Sequence, residues 1–137
     1  MRRLVQFMFV VVIMVGILSF GMVTGASAKD IKAGAIINLT GPLSSWGQYH
    51  AKGLQDYIRY VNEVKGGIGG NKIDLTVVDH AYKVPEAVKY VKKFCTADKM
   101  DITATWDAGS GIMVKPIIQK YKTPNINFST FPAILKP

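Results

Sequence analysis

Beyond residue 28, apolar runs of strand length alternate with apolar stripes at helical spacing, and glycine, proline or asparagine punctuates nearly every change. A chain that switches period in this way folds as βαβ units, because each parallel strand needs a crossover helix before the next can be laid beside it. Residues 31–38 are almost continuously apolar (Ile31, Ala33, Ala35, Ile36, Ile37), as in a strand covered on both faces. Residues 46–64 place Ala51, Leu54, Ile58 and Val61 three and four apart, which predicts a helix packed on the sheet. Glycines 66, 67, 69 and 70 end it.

Residues 72–79 read as a second strand through Ile73, Leu75, Val77 and Val78. Pro85 suits a first helical turn, where its missing N–H costs nothing, and Ala87, Val88, Val91, Phe94 and Cys95 supply that helix's apolar face. Residues 102–105 predict a third strand, and 110–121 a third helix with Ile112, Met113, Pro116 and Ile117 inward. Pro116 is a blemish in it, since an interior proline removes a hydrogen bond. Ile126 and Phe128 begin a fourth strand. The expected class is α/β: a three-layer, doubly wound, mostly parallel sheet.

Residues 1–28 read differently. Arg2 and Arg3 precede an uncharged apolar run over 4–23, followed by Ala26, Ser27 and Ala28, the small-x-small pattern of a signal-peptidase site. The expected product is periplasmic and begins at Lys29. The alternative is a retained anchor, because about 20 apolar residues span a bilayer. The lone cysteine, Cys95, cannot form an internal disulfide and reads as a small core residue. The net charge of +8 is spread along helices rather than gathered in an arginine-rich run, which argues against nucleic acid.

In a doubly wound sheet, ligands bind beyond the carboxyl ends of the strands where strand order reverses. That points to residues 40–48, 106–111 and 129–131. GGIGG precedes a strand rather than a helix, so it is misplaced for phosphate, and no nucleophile elbow or Walker loop occurs. His50 and His80 lack the close spacing of a zinc or hydrolase motif. Asp79 and His80 are neighbours that point to opposite faces of a strand. No metal, cofactor or catalytic residue is expected.

The segments TGPLSSWGQYHAKG, NEVKGGIGGNKIDL and KPIIQKYKTPNINFS resemble the Leu/Ile/Val-type periplasmic binding proteins that serve ABC importers. The match runs in order over nearly all of the chain after residue 28. The resemblance implies a type I periplasmic-binding lobe, with residues 29–137 as its incomplete N-terminal lobe and a second lobe outside this chain. It further implies a small-molecule ligand such as a branched-chain amino acid, amide, urea or aromatic acid. The partners would be ABC transporter membrane subunits, and the full-length protein would be a monomer. A genuinely short protein, a membrane receptor's sensor domain and an exported flavodoxin-like or hydrolase-like enzyme are the alternatives.

Within that frame Thr40, Gly41 and Pro42 make the exit from the first strand, and Gly53 lets the first helix approach the sheet. Gly109, Ser110 and Gly111 would grip a carboxylate through free N–H groups and the Ser110 hydroxyl, although a serine there is also an ordinary helix cap. Trp46 would wall the pocket unless it is a core residue. Ser129 and Thr130 would meet the ligand's ammonium and carboxylate, or merely form a strand-end turn. Trp106 and Asp107 depart from the small polar residues of a leucine binder. Asp107 would meet a cationic or amide group, or cap the third helix.

Overall fold

The computed structural model describes residues 29–129, 131 and 132. Four parallel strands, β1 (Ile31–Ile37), β2 (Ile73–Asp79), β3 (Ile102–Thr105) and β4 (Asn125–Asn127), form one sheet in the order β2-β1-β3-β4. Helices α1 (Ser44–Glu63), α2 (Val84–Lys93) and α3 (Ala108–Tyr121) connect them in turn. Right-handed crossovers running in opposite directions from the centre of the sheet put helices on opposite faces. The two core clusters show this division. Ala35 and Ile37 pack with Ala51 of α1, while Ile36 packs with Ala87 and Val91 of α2 and Val114 of α3.

The alternation of a central strand is thus what divides the core, and Gly34 to Ile37 are all buried. Phe94 and Cys95 lie in a π-helical extension of α2, Phe94–Asp98, that ends at Lys99 in a left-handed conformation. Sequence periodicity does not announce this widened turn. It keeps Phe94 over Gly34, where an added Cβ would come within 2.5 Å of the ring. Cys95 is buried and free, as its small size and lone occurrence led us to expect.

Two expectations are corrected. The inward face of α3 is carried by Gly111, Val114, Ile117 and Ile118, whereas Met113 and Pro116 are exposed. Apolar side chains run round that helix, so no single stripe marks its buried side. The close approach of α1 is made by Gly47, not Gly53. A Cβ at Gly47 would stand 2.0 Å from the Asn38 carbonyl oxygen, while nothing lies within 4 Å of one at Gly53. Gly47→Ala is therefore expected to lower stability by about 1–3 kcal/mol through overpacking. Gly53→Ala is expected to be neutral or to stabilise the exposed helix by up to about 1 kcal/mol. Urea denaturation of the two variants reads the difference.

Candidate functional site

Strand order reverses between β1 and β3, which in a doubly wound sheet puts the ligand crevice beyond their carboxyl ends, at residues 38–44 and 106–110. The first loop is tightly held. Gly41 has φ 75°, and Asn38, fully buried, donates from Nδ2 to the Pro42 carbonyl at 3.0 Å. Asp79, at the end of β2, accepts from the Leu39 N–H at 2.8 Å, from the Thr40 N–H at 3.3 Å and from the Thr40 hydroxyl. It also accepts from the Ala81 N–H at 2.8 Å, which holds a bend where Ala81 and Tyr82 both have positive φ. Such angles are costly for residues with a Cβ and persist only where the surroundings impose them. Burial opposes ionisation of Asp79, but these hydrogen bonds prevail and its pKa lies below 3.8.

The second loop is organised by Asp107. This residue is the N-cap of α3, its Oδ1 accepting from the Ser110 N–H at 2.8 Å. Oδ2 lies 2.9 Å from His80 Nε2. From β4, Asn127 donates through Nδ2 to the Asp107 carbonyl at 3.1 Å and to the Thr105 hydroxyl at 2.8 Å. Burial works against the Asp107 charge, yet the His80 hydrogen bond, the Ser110 contacts and the attraction of His80 bring its pKa down to about 2. The first helical turn thus carries a fixed negative charge, paired with a histidine that is 1% exposed.

The cap decides what the predicted residues can do. The Ser110 N–H is taken by Asp107, and the Gly111 N–H donates to the Asp107 carbonyl at 3.0 Å, so these two amides are not open as expected. Ser110 is fully enclosed, and its hydroxyl makes no well-formed hydrogen bond among the described residues. Gly111 has a packing role: a Cβ there would stand 2.2 Å from Asn127 Nδ2. Gly109 is half-buried in the first turn of α3 beside Ala108, at the positive end of the helix. Trp46 stands 63% exposed in the first turns of α1. It belongs to the surface at this edge rather than to the core.

Half-buried Trp106 donates its indole N–H to His50 Nδ1, and His50 stacks on Phe128 at 6.1 Å between ring centroids. The Ser129 N–H donates to Asn127 Oδ1 at 2.7 Å, a turn at the end of β4. Thr130 lies outside the described residues. Among those residues no cluster of three or more His, Cys, Asp or Glu side chains is placed to hold a metal. A cleft of about 320 Å³ lies elsewhere, on the α1 side of the sheet, lined by apolar side chains including Leu54, Tyr57, Ile126 and Phe128.

Three residues of this edge escaped the sequence reading as site residues: Asn38, His80 and Asn127. His80 is 27 residues from Asp107, so no local spacing joins them. Asn125 and Asn127 did carry a signal, since asparagine is a poor strand former and two in a three-residue strand call for side-chain partners.

The family described as periplasmic binding protein matches residues 30–135. The leucine-specific-binding protein of Salmonella typhimurium is 33% identical over 81 residues, which is 59% of this chain and 22% of the relative. Among solved structures, the branched-chain amino acid transporter substrate-binding protein LivJ of Streptococcus pneumoniae, in complex with isoleucine, aligns with a TM-score of 0.65 and 25% identity. That alignment covers 72% of this chain and 28% of LivJ. The fatty acid ABC transporter substrate-binding protein of Thermomonospora curvata gives 0.67 and 27%, over 75% of this chain and 26% of its own. The matched proteins are named for binding and transport rather than for catalysis, and the alignments span 22–28% of their length. With its parallel sheet, its strand-end crevice and a match from residue 30 to residue 135, the chain belongs to the periplasmic binding protein family.

Proposed function

We propose that this chain supplies the N-terminal lobe of a solute receptor for an ABC importer. The cargo would be a branched-chain amino acid or a related small polar solute, closed between this lobe and a second one. The observation that carries the reading is the strand order, which reverses between β1 and β3, so that their carboxyl ends lead into the start of α1, with exposed Trp46, and the start of α3, with half-buried Ala108 and Gly109. An aromatic wall for an apolar side chain beside a helix N-terminus for a carboxylate is the division of labour that a zwitterion requires. The contacts assigned to the ligand are the Ala108 and Gly109 N–H groups, the Trp46 and Trp106 rings, and the segment at Ser129 and Thr130. Asp107, Ser110 and Gly111 form the frame behind them.

A thermal-shift screen of the full-length gene product against leucine, isoleucine, valine, short amides, urea and aromatic acids tests this directly. A ligand present at 100 times its Kd adds about 2.7 kcal/mol to the folded state. A rise in melting temperature with one of these classes is expected, and no rise with any of them removes the reading. Ser110→Ala separates frame from contact. Removing a buried hydroxyl that makes no well-formed hydrogen bond is expected to leave the unliganded protein as stable or more so. A loss of ligand affinity of about 1–3 kcal/mol would instead put the hydroxyl in the site.

The same proposal places the protein in the periplasm, with residues 1–28 removed as a signal peptide. N-terminal sequencing of the exported product is expected to begin at Lys29, and recovery of the intact N-terminus in the membrane fraction would indicate an anchor instead.

A further inference from the structure

A guest carboxylate at the start of α3 faces an obstacle. A helix N-terminus attracts anions, but here the carboxylate of Asp107 already occupies it, bonded to the Ser110 N–H at 2.8 Å. Two like charges within one helical turn and partly shielded from water repel strongly enough to change an affinity about tenfold or more. Something must offset the fixed charge if an anion is to be received.

His80 is placed to do so. Its imidazole is buried, and Nε2 lies 2.9 Å from Asp107 Oδ2. The two residues come from the ends of β2 and β3, which flank β1, so their bond passes over the end of the central strand. The His80 backbone N–H donates to the Ile37 carbonyl at the end of β1 at 3.2 Å. His80 Nδ1 and the Ser110 hydroxyl, on the two residues that Asp107 contacts, are buried and make no well-formed hydrogen bond among the described residues. Polar atoms in that state at such depth are uncommon and collect where a protein does more than pack.

Resting on the reading of this edge as a ligand site, we propose that His80 is a positioning residue that sets the charge of the α3 N-terminus. Protonated, it makes a neutral pair with Asp107 and leaves the helix end free to accept a carboxylate. Neutral, it leaves a lone negative charge that refuses one.

The charged groups acting on the imidazole are Asp107, from the β3–α3 junction, and Asp79, from the end of its own strand. From β1 the Ile37 carbonyl also acts on it, and the His80 backbone is held by the Lys83 N–H ahead of α2, which donates to the His80 carbonyl at 2.8 Å. Burial alone would depress the imidazole pKa, but the Asp107 hydrogen bond, the Ile37 carbonyl and both carboxylates outweigh it and raise the pKa above 6.5. The protonated pair therefore extends to higher pH than an isolated histidine would allow, and anion acceptance declines only as the pH rises through that raised value.

The test follows His80 by NMR in the full-length gene product while calorimetry measures L-leucine and L-leucinol from about pH 6 to pH 9, where a histidine titrates. Leucinol keeps the ammonium and lacks the carboxylate. Leucine affinity is expected to fall about tenfold with the midpoint of the His80 titration, and leucinol affinity is not expected to fall with it. His80→Gln, which keeps a donor toward Asp107, should give a flat leucine profile at the weaker level. Asp107→Asn, which keeps an acceptor for the Ser110 N–H, should give a flat profile at the tighter level. Leucine binding with a flat wild-type profile, or a profile that survives His80→Gln, overturns the proposal but spares the solute-binding reading. Leucine failing to bind at every pH overturns the proposal together with the amino-acid reading it rests on.

Discussion

Replacing Phe94 by alanine is expected to remove about 3–5 kcal/mol of stability, the scale for deleting a buried aromatic ring whose site cannot fully collapse. The ring is 1% exposed and belongs to the core cluster of Ile36, Ala87, Val91, Cys95 and Val114. Gly34 in the central strand lies against it, with no side chain that could swing into the space left behind. A loss of that size is a large part of the 5–15 kcal/mol that typically holds a domain together, so the variant should be partly unfolded at moderate temperature. Urea denaturation followed by circular dichroism measures it. Phe94→Leu, which keeps most of the volume, should lose less than half as much, and equal losses from the two would show that ring shape rather than filled volume is what matters there.

Asp107→Ala should be nearly as damaging, by about 3 kcal/mol near neutral pH, because it strips the cap from α3 and leaves His80 buried without its counter-charge. The pH dependence gives a sharper signature. Asp107 has its pKa depressed from 3.8 to about 2 in the folded protein. Its contribution is thus present above 3.8 and lost as the pH falls from there through about 2, and it amounts to roughly 2 kcal/mol. His80 runs the other way. With its folded pKa raised above 6.5, it stabilises the protein fully below 6.5, and that stabilisation is lost as the pH rises through the raised value. Wild type should therefore lose stability at both ends of the range. Asp107→Ala should keep only the part of the acid loss that belongs to Asp79, and should not show the alkaline loss assigned to the His80 pair. A variant with unaltered slopes at both ends would mean that the two side chains do not interact in solution.

The alternation of periods was enough to place four strands and three helices in the right order, because each strand here is a short apolar run and each crossover begins or ends at a glycine or proline. Helices α1 and α2 also showed their buried faces, since Ala51, Leu54 and Ile58, and Ala87, Val91 and Phe94, fall on single stripes. Helix α3 did not, because Ile112, Met113, Val114, Ile117 and Ile118 surround it and only the neighbours in space select the side that packs. The choice between Gly47 and Gly53 was likewise hidden, since it depends on the height at which α1 crosses the Asn38 carbonyl.

For the candidate site, strand ends could be located, and with them Trp46, Trp106, Asp107 and Ser129. Which polar atoms would satisfy one another across those ends could not. Asp107 meets His80 because β2 and β3 lie on either side of β1, a consequence of strand order that neither residue's neighbours in sequence disclose. The occupied amides of Ser110 and Gly111 are by contrast a local matter: of the two roles the sequence allowed Asp107, partner of a cationic or amide group or cap of α3, the structure shows the cap.

The most direct test is a crystal structure of the full-length gene product grown with whichever solute raises its melting temperature most. The guest should lie beyond the carboxyl ends of β1 and β3, an anionic group of it accepting from the Ala108 and Gly109 N–H groups and its apolar portion against the Trp46 ring. A guest seated in the apolar cleft between α1 and the sheet, or one that leaves the first turn of α3 untouched, would contradict that placement.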